Sequence, residues 1–105
     1  MSWIYLVIAA LFEIGWPLGF KLSQVTSYRV LPIIFAAVSM ILSWIFLWLA
    51  QKEIPIGTAY AVWTGIGAAG TFLIGMAFFG DAITVGRSVG VGLIIAGVVT
   101  LKLSH

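Results

Sequence analysis

Four apolar runs, at residues 3–20, 30–50, 54–79 and 85–103, take up nearly all of this 105-residue chain, with short polar junctions between them. Each run is about the length needed to cross the ~30 Å hydrocarbon core of a bilayer as an α-helix rising ~1.5 Å per residue. Composition excludes a water-soluble core, because 63% hydrophobic and 8% charged residues leave too little polar surface to cover a globule. The expected fold is therefore all-α, an integral membrane protein in which residues 1–105 form one four-helix transmembrane unit without a second domain or linker. Junctions such as 51–54 and 80–84 suit only adjacent antiparallel helices. The first run carries Glu13 and lacks a basic residue ahead of it, so it reads as a retained helix rather than a signal peptide.

Charge placement bears on orientation. Lys21, Arg29 and Arg87 fall on one side of the membrane, and Lys52, Lys102 and the α-amino group on the other. Cationic loops are retained in the cytoplasm, and here the two sides nearly cancel. A chain with so little bias is expected to insert both ways round, which allows an antiparallel, two-fold homodimer of dual topology. Size argues for assembly as well, since four helices can hardly wall off a substrate chamber from lipid. The fourth run offers a contact surface in Gly86-x-x-x-Gly90 and in Gly97, small residues that let backbones approach. The net charge of +2 sits at helix ends and carries no nucleic-acid signal.

Glu13 is the one charge deep inside a run, since Arg87 and Lys102 stand within three residues of the ends of theirs. An acid at that depth is opposed by roughly 2.5 kcal/mol or more on insertion scales, so its default reading is proton or cation handling, against that of a packing or assembly carboxyl. Ala9, Ala10, Trp16 and Pro17 share its helix face: two small residues leave room for a ligand and Trp16 walls it in. Pro17 has no N–H for the Glu13 carbonyl, which predicts a kink and a freed acceptor there, unless it is an ordinary membrane-helix proline. In the third run Tyr60, Trp63 and Gly67 share a face with Thr64 and Thr71 beside them, so Tyr60 and Trp63 are candidates for an aromatic cation box around the acid. The competing reading is packing or interface anchoring. Ser39 and Ser43 lie four apart and are candidate hydrogen-bond partners of the same carboxylate.

Gly65-x-Gly67-x-x-Gly70 matches the dinucleotide fingerprint literally but has no preceding strand and no acid about 20 positions on. Gly65 and Gly67 instead suit a bending element, a conformational hinge of the third helix. No cysteine is present, His105 is the only histidine, and no catalytic triad or metal-ligand constellation exists. No enzyme, metal or cofactor is expected.

Glu13, the run from Pro55 through Gly67 (Pro-Ile-Gly-Thr-Ala-Tyr-Ala-Val-Trp-Thr-Gly-Ile-Gly), and the pair Gly90 and Gly97 together resemble the small multidrug resistance family over essentially the whole chain. Glu13, Trp16 and Lys21, with Leu101-Lys102-Leu103 at the end, look most like its guanidinium-exporter branch. The resemblance implies an antiparallel homodimer in a bacterial inner membrane that exchanges guanidinium for protons. Both Glu13 copies would form the site, with Trp63, Tyr60 and Ser43 around them. The chain departs from the branch at Ala10, usually glycine, at Pro17, in a first loop one residue longer, and at Gly80-Asp81, which replaces a common Lys-Glu. Ala10 and Pro17 flank Glu13, so the departures bear on which cation is carried: guanidinium, a substituted guanidinium or a quaternary ammonium ion. A non-transporting assembly subunit or a cation channel is the alternative of another class.

Overall fold

The computed structural model describes residues 1–104; His105 lies outside the described residues. Its elements are α1 (Ser2–Val25), α2 (Val30–Ala50), α3 (Ile56–Phe78) and α4 (Val85–Ser104), all four long and apolar enough to cross a membrane. The boundaries differ from the apolar runs chiefly in α1, which continues past Lys21 to Val25. A lysine does not end a membrane helix, because its methylene stem stays in apolar surroundings while the ammonium reaches the interface. The helix stops at Thr26, whose backbone is extended and whose hydroxyl accompanies its own N–H to the Leu22 carbonyl. Pro17 does not break α1.

Proline also marks two helix starts. Pro32 occupies the first turn of α2, where a backbone N–H has no helical partner anyway, and Pro55 stands immediately before α3. Ile54, outside any helix, is nevertheless buried in the core with Leu6, Ala50, Ala59, Val62 and Trp63. That core joins the first half of α1 to the end of α2 and the start of α3.

Helix α1 is the hub. It packs most extensively on α2 and also on α3, while α4 stacks on α3 and α2 scarcely meets α3. The close approach of α1 and α2 depends on Gly15 and Gly19, a small-xxx-small pair one turn apart. A Cβ at Gly15 would stand 2.8 Å from the Ser39 Cβ, and one at Gly19 would stand 2.6 Å from the Pro32 carbonyl oxygen. Overpacking of this kind costs about 1–3 kcal/mol. Gly15→Leu is therefore expected to lower the thermal midpoint of the detergent-solubilised protein, read by loss of its size-exclusion peak on heating. Gly57→Ala, where a Cβ meets nothing within 4 Å, is expected not to lower it.

The result is a slab measuring 44 × 34 × 16 Å. Its thin dimension is little more than one helix diameter of about 10–12 Å, so the chain cannot enclose a chamber by itself. Val91 is the only residue of α4 that is buried, and a Cβ at Gly90, Gly92 or Gly97 would touch nothing within 4 Å. At the end of the slab opposite Lys21, the Lys102 ammonium lies 4.7 Å from the Trp3 ring centroid and that of Lys52 lies 4.5 Å from the Trp48 centroid. Such pairs place charge and amphipathic ring together where membrane meets water.

Candidate functional site

Glu13 is half-buried on the face of α1 that meets α3. It is seated there because Gly67 of α3 has no side chain: a Cβ at Gly67 would stand 2.7 Å from the Glu13 Cγ. One turn on, the Trp16 indole Nε1 donates a hydrogen bond of 2.7 Å to Glu13 Oε1. The (i, i+3) spacing brings the two side chains together on the helix surface, so the carboxylate is oriented by its own helix.

An open cavity of 380 Å³ adjoins the carboxylate, with Trp16, Thr64, Thr71, Phe72 and Asp81 among its walls. Its polar chemistry is one-sided. The Thr64 hydroxyl donates to the Tyr60 carbonyl at 2.8 Å and the Thr71 hydroxyl to the Gly67 carbonyl at 2.7 Å, so both protons are spent on the helix backbone and the oxygens retain lone pairs. With two carboxylates, two such hydroxyls, and an indole N–H already committed to Glu13, the walls offer acceptors and aromatic faces. That inventory suits a cation with N–H donors.

The remaining sequence candidates form a second group beside this cavity. Trp63 is buried at 8% exposure, and its Nε1 donates to Ser43 Oγ at 2.8 Å. Ser43, fully buried, donates in turn to the Ala9 carbonyl at 2.7 Å. The pair thus ties α2 and α3 to α1 one turn before Glu13, and it is Trp16 that bonds the carboxylate. Tyr60 packs on Trp63 with the rings tilted, 5.6 Å between centroids, and is 57% exposed, so its phenol faces away from the chain's own core. Ala10 is fully buried beneath the Gly67 crossing. Ser39 packs against Gly15 rather than beside the acid, and Gly65 meets Val98 of α4. Among the described residues, no group of three or more His, Cys, Asp or Glu side chains could hold a metal ion.

Sequence reasoning noted Asp81 only as a departure from the branch and did not place it at the site, yet the last junction carries it into the cavity wall. The available signal was Gly80 after an apolar helix, a frequent helix terminator that reverses the chain.

A profile described as "Small Multidrug Resistance protein" matches residues 1–94. The chain belongs to this family. Among the relatives of this small multidrug resistance protein are the "Guanidinium exporter" of Yersinia pseudotuberculosis serotype I, 47% identical over 104 residues, 99% of each chain. Those of Salmonella typhimurium strain LT2 and of Citrobacter freundii are 44% identical over 104 residues, 99% of this chain and 98% of the relative. A multi-pass membrane protein acting on small cations is the role that the family and the four spans support together.

Proposed function

We propose that this protein exports guanidinium or substituted guanidinium ions in exchange for protons, across a bacterial inner membrane. The observation that carries this reading is Glu13 itself, a lone carboxylate within a membrane span, oriented by Trp16 and opening on a cavity walled by acceptors. The relatives named as guanidinium exporters support the substrate. Guanidinium is planar and can donate paired hydrogen bonds to a carboxylate, which a point charge cannot do.

A slab 16 Å thick leaves this cavity open along one side. In our reading a second copy, inserted the other way round, closes it and supplies its own Glu13, with the open face of α4 and its Gly90 and Gly97 at the contact. Tyr60, exposed in one copy, is then available to a site shared between copies, beside Trp63 and Ser43. The two Glu13 carboxylates hold either protons or one cation. Protons leave to one side as the cation binds, the occupied pair reorients, and protons arriving from the other side displace the cation. No covalent chemistry is involved, and the protein is not an enzyme.

One observation favours a broader substrate range. The cavity is large for bare guanidinium, and Trp16 and Phe72 offer ring faces to a quaternary ammonium ion, which has no donors of its own. Solid-supported membrane electrophysiology on proteoliposomes decides between the two, with guanidinium and a tetraalkylammonium as alternate substrates. Currents for guanidinium alone are expected, currents for both extend the range to multidrug cations, and silence for both in a dimeric preparation overturns the transporter reading.

A further inference from the structure

Asp81 follows α3 in sequence, yet its carboxylate is folded back along that helix. Two glycines make this possible. Gly80 takes a positive φ of 71°, which reverses the chain and lets the Asp81 N–H bond the Gly75 carbonyl at 3.1 Å. Gly75 has no side chain where the returning carboxylate lies: a Cβ there would overlap Asp81 Oδ2 and stand 3.2 Å from its Cγ. Capping does not require the acid, since the bond to α3 is made by backbone and α4 is capped by Thr84, whose hydroxyl accepts from the Arg87 N–H at 3.1 Å.

The returned carboxylate stands between two cavities. It lines the 380 Å³ cavity of Glu13 and also a neighbouring one of 200 Å³ that reaches Lys21 at the end of the slab. Pro17 and Thr71 are common to both, so the two run on from each other. A cation travelling from the Lys21 end to Glu13 therefore passes Asp81. Without Asp81 the one charge lining the smaller cavity would be Lys21, which repels a cation. With it the lining carries one charge of each sign, the negative one on the side toward Glu13.

The geometry points to Asp81 as a recruiting carboxylate, a transient binding residue that draws the guanidinium-type cation past Lys21 and hands it to Glu13. The assignment rests on the exchange reading above. A carboxylate lining the mouth of a low-dielectric cleft concentrates its counter-ion and raises the capture rate, an effect weakened by salt. It acts on capture and leaves reorientation of the loaded site alone, so its removal moves KM and spares kcat.

The test is guanidinium-coupled current against substrate concentration in proteoliposomes, for the parent protein, Asp81→Asn and Gly75→Ala, each checked as a dimer by size exclusion. Parent guanidinium current that can be driven by an opposing proton gradient and is abolished by Glu13→Gln establishes the exchange reading first; the absence of such current sinks that reading, and the role of Asp81 with it. Given that current, Asp81→Asn is expected to raise KM about three- to tenfold at low salt with kcat retained, and the difference is expected to shrink at high salt. Gly75→Ala keeps every charge but displaces the carboxylate, and it is expected to raise KM in the same way. Parent-like KM in Asp81→Asn overturns the assignment, as does a fall in kcat at constant KM. Parent-like KM in Gly75→Ala alone overturns the placement of the acid in the cavity.

Discussion

Glu13→Gln protein is expected to insert, dimerise and carry no guanidinium current. Glutamine keeps the size of the side chain, and its carbonyl oxygen can accept the 2.7 Å bond that Trp16 donates to Glu13 Oε1, so the local packing has no reason to change. What is lost is the charge. An ion pair at 4 Å is worth about 4 kcal/mol at an effective dielectric constant of 20, roughly a thousandfold in affinity. Proton exchange fails with it, since an amide takes up no proton in the working range. A carrier thus loses both halves of its cycle from one atom's replacement.

Other outcomes separate the classes of function that the sequence leaves open. Loss of the dimer in Glu13→Gln, measured by size exclusion or crosslinking, would assign the carboxylate to assembly. Current that flows down a gradient without counter-transport in the parent protein would indicate a channel. An acceptor-lined cavity beside an oriented carboxylate serves a carrier or a channel equally well, so it is the counter-transport measurement that separates those two.

The four spans were legible because a helix in lipid must be apolar over its whole length, which leaves an unbroken run in the sequence. Glu13 and Trp16 were legible for a related reason, that their meeting is set by one helix's own periodicity. Contacts between helices were less so. Periodicity places Ser43 and Trp63 each on a face, but which faces meet depends on how closely backbones approach, and that is decided by Gly15 and Gly19 at Ser39 and Pro32. The eye is drawn to Gly90 and Gly97, where an added Cβ would meet nothing within 4 Å among the described residues. The end of α1 was misplaced because Lys21 looks like a boundary while its stem allows the helix to continue. Asp81 was not placed at the site because a junction acid is ordinarily solvated, and only the backbone reversal at Gly80 brings it back.

Gly67→Val is expected to cost transport nearly as heavily as loss of the acid, and the way in which Gly67→Ala fails separates two roles for this glycine. As a hinge, Gly67 matters for backbone freedom, so alanine at Gly67 or at Gly65 should slow reorientation and leave cation affinity alone. As a seat, Gly67 matters because Glu13 occupies the missing side chain's place: a Cβ would stand 2.7 Å from the Glu13 Cγ and 3.3 Å from its Cβ. Alanine then forces the carboxylate off its rotamer at a cost of about 0.5–1.5 kcal/mol, and the further methyl groups of valine compound the overlap. A Cβ at Gly65 touches Val98 instead, so Gly65→Ala disturbs the contact of α3 with α4 and leaves the acid in place. The seat therefore predicts a raised KM for Gly67→Ala, current nearly abolished in Gly67→Val, and an unchanged KM for Gly65→Ala, all read from the same concentration series. Equal slowing of Gly65→Ala and Gly67→Ala at constant KM would favour the hinge, and Glu13 would then owe its orientation to Trp16 alone.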